Sequence, residues 1–285
     1  MDANLKLCMV LIHIFEAVRR FYHMLFKIKS YITFLLGGIS KYGVHSPFLH
    51  HFIQDVLDHR GNFYCFPAIE LVRKKLSRNK RTIKKLDLGA GSSYGNKNEI
   101  PINQILKQEQ SSPKKAKLLF KMVNFYNPEK VLEMGTSLGF TTAYLANARK
   151  NNEVLSVEAD KQKCEIASKT INSLGIKNVK IINSTFSDLI EKASHWHFNF
   201  IYFDGNHTDH ATLSYFHWAV EKVCENDVFV FDDIYWSKEM NHAWKKIINH
   251  EKPTLTLDLF SLGIVFFDSN LSKQHIKLIH TSNFY

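Results

Sequence analysis

From residue 128 onward, short apolar runs and helix-patterned stretches take turns along the chain. The runs are KVLEM (130–134), EVLSVEA (153–159), NVKIIN (178–183), FNFIYFD (198–204) and DVFVFDD (227–233). Helical periodicity follows each of them, over about 140–150, 160–174, 186–194, 209–224 and 237–250. This alternation constrains the chain more than anything else in it. A strand, a helix and a second strand of the same sheet close by a right-handed crossover, so the strands run parallel and helices cover both faces. Near-continuous apolar runs suit strands buried on both sides. The last two runs, TLTLDLF (254–260) and IVFFD (264–268), are separated only by Ser261-Leu262-Gly263, which predicts a tight hairpin. The expected architecture is α/β and doubly wound, with five parallel strands and a C-terminal antiparallel pair.

The first 112 residues read as a mainly helical extension, with helices at roughly 5–35, 47–59 and 67–78, and residues 113–285 as the α/β domain. The extension is basic. Residues 1–117 carry 20 Lys and Arg against 8 Asp and Glu, whereas residues 118–285 carry 17 against 19. Such a face suits an anionic membrane, a nucleic acid or an acidic substrate, or is simply solvated. Glu16, Arg19, Arg20, Lys27 and Lys29 interrupt the apolar stretch within residues 1–40, so a basic amphipathic helix fits better than a transmembrane span. That helix either packs on the domain or touches a membrane surface, and it leaves open whether residues 1–60 support a homodimer. No secretory signal pattern lines up. Cys8, Cys65, Cys164 and Cys224 form no CxxC pair, which argues for a reducing, cytoplasmic setting.

Two glycine loops compete as a ligand cradle: LDLGAGSSYG (86–95) and Glu133-Met134-Gly135-Thr136-Ser137-Leu138-Gly139. A strand end, a glycine turn and a helix N-terminus together favour a carboxylate or phosphate. A nucleoside also needs an acid for its ribose at the end of the next strand, roughly 20 residues on. The second loop has this acid in Glu158. The first is followed by Pro101 and by no second strand ending in an acid, so the Gly89–Gly95 loop is read as a turn of the N-terminal region. The spacing E-x-G-x-x-x-G also departs from the dinucleotide fingerprint G-x-G-x-x-G.

An acid before a glycine loop, an acid ending the second strand and a closing hairpin resemble the Rossmann-like class I S-adenosylmethionine-dependent methyltransferases. The resemblance spans about residues 114–268. It implies that Glu133, Gly135, Thr136, Ser137 and Gly139 surround the amino-acid end of the cofactor and that Glu158 binds its ribose. Ser184 and Thr185 would lie near the adenine, although many relatives carry Asp where Thr185 stands.

Ligands of open α/β sheets sit outside the carboxyl ends of the strands. There the chain places Asp204-Gly205-Asn206-His207 and Asp232-Asp233. Three carboxylates near one point need a cation or a proton between them, and oxygen ligands of this kind suit Mg²⁺. The pattern resembles cation-dependent O-methyltransferases of the catechol and caffeoyl-CoA types, with Asp233 where Asn is usual. Asp204 and His207 in an Asp-x-x-His arrangement are similar to the macrolide-sugar O-methyltransferases, where the His is a candidate base. Asp204 is also a candidate cofactor contact. Tyr235 and Trp236 either wall the acceptor or pack. The resemblance implies S-adenosylmethionine as cofactor, Mg²⁺ as an assisting ion and a small-molecule hydroxyl as acceptor. Against a nucleic-acid methyltransferase, the Asp/Asn/Ser-Pro-Pro-aromatic motif is absent after the fourth strand, where DGNH stands. A non-catalytic protein of the same fold, binding a partner or membrane surface, is the reading from another class.

Overall fold

The computed structural model describes residues 3–84, 86, 99–193 and 195–280. The Gly89–Gly95 loop lies outside the described residues. The N-terminal part holds α1 (Ala3–Gly37), the two-residue β1 (Ile39–Ser40), α2 (Pro47–Phe52) continuing through a π-helical turn at Ile53–Leu57, and α3 (Cys65–Leu76). It continues with β2 (Thr82–Lys84), β3 (Glu99–Pro101), α4 (Ile102–Gln108) and α5 (Pro113–Tyr126). The strands β2 and β3 pair antiparallel, so the stretch around Pro101, where the sequence suggested no strand, contains a strand and a helix. Pro101 itself ends β3, an edge strand that tolerates its missing N–H, and α4 starts one residue later.

The alternating part follows as read: β4 (Lys130–Met134), α6 (Phe140–Ala148), β5 (Glu153–Glu158), α7 (Lys161–Ser173), β6 (Val179–Asn183), α8 (Phe186–Lys192), β7 (Phe200–Phe203), α9 (Asp209–Val220), β8 (Val228–Asp232) and α10 (Lys238–Asn249). Then come β9 (Leu255–Asp258), β10 (Leu262–Phe266) and β11 (Gln274–Ile279). The large sheet has the order β1-β11-β9-β10-β8-β7-β4-β5-β6. Strands β4 to β8 are parallel, and β10 inserts antiparallel between β8 and β9. The expected hairpin is therefore present. Its turn sits earlier than expected, at Leu259–Ser261, with Phe260 at φ 68°. Gly263 lies inside β10, where a Cβ would come 2.7 Å from the Trp244 ring of α10. That glycine serves packing, not turning.

Side-chain alternation along the strands feeds two apolar layers. Phe200 and Tyr202 join one cluster with α5, α6 and the N-terminal Leu49, Phe52 and Ile69. Ile201 and Phe203 join the other, with Phe216, Trp244 and Ile247 of the helices behind. There Phe203 and Phe231 stack 4.3 Å apart at 2°, an arrangement worth about 0.5–1.5 kcal/mol beyond area burial. The division after residue 112 is thus crossed by one continuous core.

Helix starts decide where the site lies. Asp160, Thr185, Thr208 and Ser237 each accept a backbone N–H in the first turn of the helix that follows a parallel strand. Ser112 does the same for α5, with Pro113 at its first position. All these caps gather at the carboxyl edge of the sheet. The connections turn one way from β4 to β5 and β6, and the other way from β4 to β7 and β8, which makes β4/β7 the switch point.

Candidate active site at the switch point

The loop after β4 leaves the strand with Gly135 at φ 115°, Ser137 at φ 45° and Gly139 at φ 82°. Gly135 is demanded by its neighbour: a Cβ there would lie 2.0 Å from the carbonyl oxygen of Asp204. Gly139 likewise meets Ala167 of α7, at 3.0 Å from its Cβ. Both glycines therefore let the loop sink between β7 and α7. Thr136 turns inward, its hydroxyl 2.6 Å from that of Ser156.

Glu133 is fully buried. Its Oε2 accepts from the hydroxyls of Thr142 and Ser156, while its Oε1 has no partner among the described residues. Burial pushes its carboxyl up to about 8, against those two hydrogen bonds. A buried acid with one oxygen unpaired suits a cationic group, such as the amino-acid ammonium of S-adenosylmethionine. Glu158 ends β5 and ties the loop down, accepting from the Ser137 N–H at 2.8 Å and the Asp160 N–H at 3.0 Å. Burial raises its pKa, opposed by Lys163 and these N–H groups. The residues assigned to the adenine are partly committed elsewhere. The Thr185 hydroxyl caps α8 by accepting from the Asp188 N–H, and the Ser184 hydroxyl donates to the Thr185 carbonyl.

Residues sequence reasoning missed come from the turn between α4 and α5. Glu109 pairs with Lys163 at 2.7 Å, and the Gln110 side-chain oxygen accepts from the Phe140 N–H. The Ser111 hydroxyl lies 3.1 Å from that of Tyr202 and 3.4 Å from Asp204 Oδ2. One turn thus bridges the ends of β4 and β7. Arg73 of α3 holds it from outside by donating to the Ser111 carbonyl.

Asp204, Asp232 and Asp233 face one another at the ends of β7 and β8, with a lysine among them. Asp204 ends β7, its Oδ1 3.7 Å from His207 Nε2 and its Oδ2 accepting from the Tyr202 hydroxyl at 3.2 Å. Burial raises Asp204 to about 6, against the pull of Lys115. Asn206 and Asp233 stand in left-handed backbone at φ 49° and 51°, a conformation costly for most residues and concentrated here at strand ends. That lysine is Lys115 of α5, whose Nζ sits 2.5 Å from Asp232 Oδ1 and 3.2 Å from Asp233 Oδ1. Burial lowers its pKa, but Asp232, Asp233 and Asp204 outweigh that and push it up. With an ammonium on these oxygens, the trio does not fit a divalent cation. Among the described residues, the group whose ligand atoms come within metal-binding reach is instead His197, Cys224 and Asp227, at the opposite edge of the sheet. A signal for Lys115 was present in the sequence. PKKAK places Lys114 and Lys115 in the first turn of a helix, where the dipole disfavours cations, and Lys115 falls on the apolar face with Leu118, Leu119 and Met122.

Helix α1 lies over this end. Lys27 Nζ stands 3.8 Å above the Trp236 ring, and Tyr31 meets Phe260 edge-on at 5.0 Å. Tyr235 stacks on Phe260 at 4.8 Å and donates its hydroxyl to Asp258 at 2.7 Å, so it packs. No helix among the described residues is long and apolar enough to cross a membrane.

No curated protein matches the chain. Solved structures do. The O-methyltransferase TomG of Streptomyces achromogenes, crystallised with SAM, is 16% identical with a TM-score of 0.50, over 57% of this chain and 83% of that one. An O-methyltransferase of Bacillus cereus in complex with SAH is 16% identical with a TM-score of 0.52, over 76% and 96%. The SAH-bound methyltransferase PaMTH1 of Podospora anserina is 12% identical with a TM-score of 0.51, over 74% and 99%. The family model described as a methyltransferase domain matches residues 132–234, which run from β4 to the turn after β8. That match covers about a third of the chain, and the solved methyltransferases share its fold, a mostly parallel sheet closed by an antiparallel hairpin.

Proposed function

We propose that the chain binds S-adenosylmethionine in the loop after β4 and methylates a hydroxyl oxygen of a small molecule at the ends of β7 and β8. The observation that carries this is the placement of Glu133 and Glu158 on adjacent strands at the switch point, with the Ser137 N–H bound to Glu158 between them. When bound, S-adenosylmethionine supplies an electrophilic methyl group. Glu133 offers its unpaired oxygen to the ammonium, and Glu158 keeps the loop in shape while facing the ribose. Asp204 is positioned to receive the acceptor's proton, with His207 behind it at 3.7 Å. Its carboxyl, raised to about 6, is ionised at neutral pH yet basic enough to serve. Methyl transfer is therefore expected to fall as pH drops through about 6, and Asp204→Asn should remove that limb of the profile.

The binding step is tested by calorimetry with S-adenosylmethionine, its demethylated product and NAD. The first two should bind and NAD should not. Glu158→Ala should weaken binding by roughly 1–3 kcal/mol, the scale for hydrogen bonds to charged groups. Unchanged affinity in that variant would sink the ribose assignment. A panel of catechols, hydroxylated aromatics and sugars then identifies the acceptor class.

A further inference from the structure

The acidic cluster brings its own cation. A divalent ion bridging Asp232 and Asp233 would need oxygens at roughly 2.0–2.6 Å in the place where Lys115 Nζ already stands. That ammonium is nearly buried, with its side chain 10% exposed, and is shared between Asp232 Oδ1 and Asp233 Oδ1 at 2.5 and 3.2 Å. An ammonium has three N–H groups. Two are accounted for by these carboxylates, and the third has no hydrogen-bond partner among the described residues. Lys27 of α1 adds a second positive charge that acts on Asp233 and Lys115. Two ammoniums thus face three carboxylates, so most of the cluster's charge is met without an imported ion.

We propose that Lys115 replaces the divalent cation, so that methyl transfer runs without metal and the third Lys115 N–H donates to the acceptor oxygen. The inference rests on the proposed methyl transfer. In that reaction the acceptor oxygen forms its bond to the methyl carbon. The sulfur–methyl bond breaks with its electron pair passing to sulfur, and the hydroxyl proton goes to Asp204. Lys115 keeps all its protons throughout. It stabilises the developing negative charge on oxygen, as a preorganised donor in a water-poor site does. Helix α5 fixes it there, because Ser112 caps the helix through the Lys115 N–H.

The test uses the full chain and Mn²⁺ alone, followed by electron paramagnetic resonance, so it needs no acceptor. Wild type should take up no Mn²⁺ at the cluster. Lys115→Ala should acquire a Mn²⁺ site that Asp232→Asn then abolishes, and Lys115→Arg should restore exclusion. With an acceptor in hand, wild-type turnover should be unchanged by EDTA, and Lys115→Ala should lose about a hundredfold to a thousandfold in kcat, the range for losing one such donor. Mn²⁺ binding to wild type that Asp232→Asn removes would overturn the proposal, even if Lys115→Ala fails to fold. Failure to bind S-adenosylmethionine would instead sink the methyl-transfer reading, so the two failures are told apart.

Discussion

A carboxyl shut away from solvent with no cation paired to it resists ionisation at neutral pH, and among the described residues Glu133 is such a group. Burial holds it near 8 instead of its ordinary 4.5. In the free protein it is therefore protonated at pH 7. Because the folded chain then binds more protons at this site than the unfolded chain, this residue's contribution to stability falls as pH rises from about 4.5 to 8. A cationic ligand reverses the preference. Binding of S-adenosylmethionine at pH 7 is expected to release close to one proton from Glu133, with the release fading above about pH 8. Calorimetry in two buffers of different ionisation enthalpy measures it, and Glu133→Gln should abolish it. Heats independent of buffer in wild type would mean that Glu133 does not face the cationic end. The role of Glu133 as an acid before the glycine loop was legible in the sequence. Its protonation state was not, because that depends on Thr142 and Ser156 arriving from α6 and β5.

Between residues 130 and 266, strand and helix boundaries were read from periodicity to within a few residues, since strands buried on both faces are mostly apolar. The hairpin between β9 and β10 shows where local signals mislead. Gly263 looks like a turn residue, yet it is the flat spot against which Trp244 lies, while the turn is built on Phe260 in left-handed backbone. Gly263→Ala is expected to cost about 1–3 kcal/mol through overpacking, visible as a lower urea midpoint with unchanged slope. A neutral result would place the Trp244 ring elsewhere. Gly135→Ala should be worse, because its neighbour is the Asp204 backbone and cannot give way.

At the scale of the molecule, the basic N-terminal part is joined to the rest through the core. Phe34 is fully buried and touches Phe260. Asp58, just beyond the π turn, accepts from Lys41 and meets His280, just past β11, at 2.9 Å. Heat should therefore unfold the chain in one transition, and Phe34→Ala should lower it by an amount equivalent to about 3–5 kcal/mol. A separate early transition in wild-type calorimetry would show that α1 detaches on its own.

The sequence by itself determined the layering, the parallel core of the sheet and the glycine loop that follows its first parallel strand. These follow from periodicity of 2 and 3.6 residues and from acids and glycines close together along the chain. It did not determine what neutralises the acidic cluster. Lys115 and Asp232 are 117 residues apart, and although the local pattern puts Lys115 on the apolar face of α5, it does not say which distant strand end that lysine meets. Only the packing of α5 against the sheet decided that, by carrying an ammonium into a place where charge must be balanced because water is largely shut out.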